Sequence, residues 1–95
     1  MFQVPESKKS IAQNRFEFEH GGKTYSIPLL KYAPVEAAEA FEEGRNVAAI
    51  LLCCENDAAR DAVRSLDGDQ FGALMEAWQE ASGVKPGESP ASSDS

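Results

Sequence analysis

Residues 15–28 read RFEFEHGGKTYSIP, two alternating runs joined by Gly21-Gly22. Successive side chains of a strand point to opposite faces, so each run has one apolar face and one polar face. A two-residue hairpin turn needs positive φ at both central positions, which a Gly-Gly pair supplies at little cost. The turn sets the register. Pairing His20 with Lys23 places Phe18 opposite Tyr25 and Phe16 opposite Ile27 on one face. Glu17, Glu19, Thr24 and Ser26 then share the other face. Such aromatic and β-branched pairs contribute roughly 0.2–1 kcal/mol each. A lone hairpin is marginal in water, so its apolar face must be covered by helices. Pro28 has no N–H to donate, and the second strand is an edge or stops there.

The rest of the chain reads as helices. Pro34 suits the first turn of a helix in which Val35, Ala38 and Phe41 form a weak apolar stripe, ended by Gly44. Asn46 is placed to cap the next segment, VAAILLCC. Val47, Ile50, Leu51 and Cys54 make one of its faces, and Ala48, Ala49, Leu52 and Cys53 make the other. Both are apolar, and a helix hydrophobic all round is expected to be buried all round. In a chain of 95 residues that burial comes either from the hairpin or from a second molecule. Asn56 or Asp57 is placed to cap a third helix with Ala59, Ala62, Val63 and Leu66 inward. Asp67 and Gln70 have the spacing of a capping box. Phe71, Leu74, Met75 and Trp78 follow at i, i+3, i+4 and i+7, and Gly83 can end this fourth helix with Val84 folded back towards Trp78. Residues 85–95, KPGESPASSDS, hold nothing apolar larger than alanine and read as a disordered tail. Residues 1–14 read as a loose arm in which Phe2 and Val4 could dock. The expectation is an α+β fold: an N-terminal two-stranded hairpin packed on about four α-helices over residues 15–84.

The net charge is −7, and residues 34–82 hold eleven acids against three arginines. A surface of that sign repels phosphate, so nucleic acid and anionic membrane are poor partners. It also keeps a small protein in solution. The first residues lack the apolar core of a secretory signal, and no run approaches the roughly 20 residues needed to span a bilayer. The chain reads as cytosolic.

No catalytic constellation is spaced in the sequence. Cys53 and Cys54 are neighbours on a helix, so their side chains diverge by about 100° and neither chelate together nor bridge. They read as buried structural thiols. His20, the one histidine, falls beside the hairpin turn, reads as solvent-facing and has no spaced nucleophile. Gly21-Gly22 lacks the surrounding pattern of a phosphate loop. No metal and no cofactor is expected. Trp78 lies on an apolar stripe, where tryptophan serves as core or as an interface anchor.

Two segments resemble one family. RFEFEHGGKTYSIPLLKY, residues 15–32, resembles the opening of the small tail assembly chaperones of long-tailed phages, especially those infecting actinobacteria. AWQEASGVKPGESPASS, residues 77–93, resembles their C-terminal signature, an acidic Trp-containing helix followed by a Gly-Glu-Ser tail. Lys85-Pro86 departs from the more apolar residue expected before Gly87. The resemblance implies a non-enzymatic protein of the bacterial host cytoplasm, absent from the finished virion. It would keep the tape measure protein soluble while the tail tube polymerises. It also implies a longer form of the same protein, made by a programmed ribosomal slip near Gly87-Glu88-Ser89.

The expected contact residues are Ala49, Leu52 and Cys53 on the second face of VAAILLCC, with Trp78 as a further anchor. Self-association into a homo-oligomer is expected as well. Two other classes compete. An acidic inhibitor or antitoxin-like protein would mask a basic partner through salt-sensitive contacts. A small redox enzyme would need a low-pKa thiol at Cys53 or Cys54.

Overall fold

The computed structural model describes residues 1–84; the tail expected over 85–95 lies outside them. Strand β1 (Arg15–His20) and strand β2 (Lys23–Pro28) form an antiparallel two-stranded sheet. Four helices follow: α1 (Val35–Glu42), α2 (Asn46–Cys53), α3 (Asp57–Arg64) and α4 (Gly68–Ala81). Short 3-10 turns sit at Ala12–Asn14 and Leu30–Tyr32. The fold is α+β, as the residues predict.

The hairpin has the expected register. His20 pairs with Lys23, Phe18 with Tyr25 and Phe16 with Ile27. Gly21 and Gly22 take φ of +62° and +79°, the left-handed pair that the two-residue turn demands. The Phe18 and Tyr25 rings stack at 5.5 Å between centroids, and Phe16 and Phe18 at 6.3 Å. Ile27 and Pro28 are buried, while the aromatic residues nearer the turn are half-buried. The base of the hairpin is therefore the part that reaches the core.

That core gathers Ile27, Phe41, Ile50, Cys53, Val63, Leu74, Met75 and Trp78 from every element except β1. Trp78 meets Phe41 edge-on, with centroids 5.8 Å apart and an interplanar angle of 84°, the geometry that the ring quadrupoles favour. No buried side-chain nitrogen or oxygen among the described residues lacks a hydrogen-bond partner.

Helix ends follow local chemistry. Asp67 accepts from the Gln70 amide at 2.8 Å, and the Gln70 side chain accepts from the Asp67 amide at 2.9 Å, closing the capping box. Asn56 caps α3 through the Ala59 amide at 2.8 Å. Gly83 has φ +86°, and the Val84 amide returns to the Gln79 carbonyl at 2.8 Å, which seats Val84 against the core.

Two readings of α1 and α2 change. The buried face of α1 is Ala37, Ala40 and Phe41, not Val35, Ala38 and Phe41. Pro34 stands just outside the helix as its N-cap, Val35 opens the first turn, and its side chain projects outward. The small Ala37 and Ala40 let α1 lie close to α2. Asn46 does not cap α2. Gly44 (φ +79°) closes α1, the Arg45 amide bonds the Ala40 carbonyl at 2.8 Å, and Arg45 is the cap residue of the next helix. Asn46 is therefore already helical.

The segment before the hairpin is tied at its C-terminal end. The Asn14 side-chain amide donates to the Lys8 carbonyl at 2.9 Å, and the Leu29 amide donates to the Asn14 carbonyl at 3.0 Å. Arg15 reaches the Lys9 carbonyl at 2.8 Å and pairs with Glu55, which also meets Lys9 at 3.8 Å. Residues 1–10 are exposed.

Candidate apolar docking surface

The inward stripe of α2 is Ala49, Ile50 and Cys53, continued by Cys54 just past the helix end. It cuts across the two faces expected from the sequence, taking Ala49 and Cys53 from one and Ile50 and Cys54 from the other. Val47 and Leu52 are left 54% and 39% exposed. Within a single copy the helix is thus not buried on all sides, and of the two sources of cover expected from the sequence the hairpin does not supply it for Leu52.

The four expected contact residues separate accordingly. Ala49, Cys53 and Trp78 lie in the core and offer no surface to another molecule. Leu52 alone reaches solvent. Beside it lies an open groove of about 710 Å³ whose walls include Val4, Tyr32, Val35, Leu52 and Glu55. Val35, 85% exposed, is the apolar residue that sequence reasoning misplaced. The signal was present in the glutamates: Glu39 and Glu42 stand at i+4 and i+7 from Val35, which places Val35 on the polar face of α1. A second open groove of about 380 Å³ lies on the other side of α2, between Val47, Leu51, Leu66 and Phe71.

The thiols do not form a reactive site. Burial pushes the Cys53 thiol up to about 12, with Cys54 and Glu55 adding to the effect. Burial also raises Cys54, against the pull of Arg60, and its Sγ donates to the Ile50 carbonyl at 3.3 Å. Both are free cysteines held as neutral thiols at physiological pH. His20 is half-buried rather than solvent-facing, because its Nε2 lies 3.1 Å from Ser65 Oγ, a link between the hairpin and the end of α3. Among the described residues, no group of three or more His, Cys, Asp or Glu side chains is arranged to hold a metal ion.

The chemistry available here is apolar contact within an acidic surround. Glu36, Glu39 and Glu42 are exposed on α1 and form no ion pair among the described residues. In the same residues no helix is long and apolar enough to cross a membrane. Comparison of the chain with protein-family models, curated proteins and solved structures returns no match.

Proposed function

We propose that this chain is a non-enzymatic binding protein, a tail assembly chaperone that holds the phage tape measure protein in solution in the host cytoplasm while the tail tube is built. The observation that carries the reading is the apolar patch of Val35 and Leu52 beside an open groove, on a chain of net charge −7. A holder for a long helix-rich chain needs such a surface to meet apolar stripes, and it needs charge to keep the complex dissolved. The resemblance of residues 15–32 and 77–93 supplies the specific partner. The contact residues proposed from the structure are Val35 and Leu52. The longer frameshifted form is a second proposed partner; its slip site near Gly87 lies outside the described residues.

The test is co-expression with a phage tape measure protein. The wild-type chain is expected to raise its soluble fraction, and Leu52→Asp to abolish that gain with helical content unchanged. A soluble fraction that ignores the wild-type chain overturns the reading.

The unpaired glutamates of α1 favour one alternative, an acidic inhibitor or antitoxin-like protein that masks a basic partner. Its binding falls steeply between low and high salt, whereas contact through Val35 and Leu52 tolerates salt.

A further inference from the structure

The two edges of the hairpin are not alike. A two-residue turn makes His20 and Lys23 a hydrogen-bonded pair, and alternation makes Phe18–Tyr25 and Phe16–Ile27 bonded pairs as well. The residues between them turn their main-chain groups outward. On β2 these are Thr24, Ser26 and Pro28. Arg15 engages Ser26, donating through Nε to its Oγ at 2.6 Å and through Nη2 to its carbonyl at 3.2 Å. Pro28 has no N–H, and its carbonyl accepts from the Trp78 indole. On β1 the outward groups belong to Glu17 and Glu19. Among the described residues their amides and carbonyls have no hydrogen-bond partner. The edge of β2 is thus largely closed, and that of β1 is open.

Beside the open edge, between β1 and α4, runs a groove of about 360 Å³. Phe16 and Phe18 line its strand side, and Leu66, Ala73, Leu74 and Ala77 line its helix side. Ala73 and Ala77 are exposed, so α4 keeps an apolar flank that two strands do not cover. The opposite face of β1 carries the side chains of Glu17 and Glu19. Both are exposed, and neither joins an ion pair among the described residues.

We propose that β1 receives an antiparallel third strand from a partner whose residues alternate between apolar and basic. A row of strand amides and carbonyls pairs with an extended main chain, which fixes the class of occupant. Partner residues opposite Glu17 and Glu19 share their face, and lysine or arginine there meets the two unpaired carboxylates. The intervening residues share the face of Phe16 and Phe18 and fill the groove above Ala73 and Ala77. A second copy of this chain makes a poor third strand. Antiparallel pairing of β1 with itself sets glutamate beside glutamate, like charges that oppose the contact. The edge shares no residue with the Val35–Leu52 groove, so the proposal stands or falls apart from any tape measure protein.

A capped peptide of alternating valine and lysine, as long as the six residues of β1, tests it against the nitrogen-15-labelled full chain. Saturable shifts of the Glu17 and Glu19 amides are expected below millimolar peptide. N-methylation of the lysine main-chain amides, which face β1, should weaken binding at least about tenfold, as loss of two main-chain hydrogen bonds does. N-methylation of the valine amides, which face away from β1, should leave it within about twofold. Glu17→Lys combined with Glu19→Lys alters exposed residues only, keeps the helical circular dichroism, and should transfer the preference to a valine–glutamate peptide. No binding at millimolar peptide overturns the proposal. So does binding that ignores N-methylation of the lysines or the charge reversal, and so do shifts centred on Val35 and Leu52.

Discussion

The indole Nε1 of Trp78 donates a hydrogen bond to the carbonyl oxygen of Pro28 at 3.0 Å, across fifty residues of sequence. The bond joins the last helix to the last residue of the hairpin. Pro28 brings no amide hydrogen that would need a partner, and its carbonyl is occupied by the one polar group Trp78 carries. A second tie runs parallel: Ser82 Oγ accepts from the Leu30 amide at 3.0 Å. Together they hold the base of the sheet against α4, which is where the core begins.

Trp78→Phe removes that donor, leaves the Pro28 carbonyl unpaired in the interior and opens a small void. A loss of about 2–4 kcal/mol is expected, the sum of an orphaned acceptor and reduced packing. Urea unfolding followed by far-ultraviolet circular dichroism measures it. A loss under about 1 kcal/mol would mean that the Trp78–Pro28 bond is not a structural tie.

Asp67→Ala opens the capping box and leaves the Gln70 amide without its acceptor. About 1 kcal/mol of stability should be lost, against a few tenths for Asp67→Gly. Thermal denaturation of the two variants side by side provides the comparison. Equal losses would contradict a capping role.

Leu52→Asp and Ile50→Asp contrast opposite sides of one helix. Leu52 is partly in water, so its replacement should cost no more than about 1 kcal/mol and preserve the helical signal. Ile50 is fully buried, and a carboxylate there should unfold the chain. Circular dichroism spectra of both variants at neutral pH decide the matter, and similar spectra would refute the orientation of α2.

Stability should fall in alkaline solution. The Cys53 thiol stays protonated in the folded chain up to about 12, against 9.0 for an unperturbed thiol. Below the unfolded value both states bind the proton and stability is complete. As pH rises from there towards the folded value, the unfolded chain releases its proton first, and the folded state loses ground. Urea midpoints should therefore decline between these two values, and less so in Cys53→Ala. For the same reason iodoacetamide should modify Cys53 slowly at neutral pH and quickly in urea.

What could be read from residues alone follows a physical boundary. The hairpin register, the Asn56 cap, the Asp67–Gln70 box and the Gly83 turn all depend on groups within a few residues of one another. Their partners are fixed by chain geometry, so the pattern of residue types determines the structure locally. The separation of α1 from α2 at Gly44 is of the same kind.

The facing of α2 is not. VAAILLCC presents apolar side chains in every direction, so its sequence alone ranks no face above another. The choice of Ala49, Ile50 and Cys53 as the inner stripe was made by packing against α1, the hairpin base and Trp78, the last two distant along the chain. Periodicity identifies a buried face only where polar residues mark the opposite one, as they do on α3 and α4. VAAILLCC lacks them, so packing decides there, and it left Leu52 at the surface and drew Ala49 and Cys53 inside.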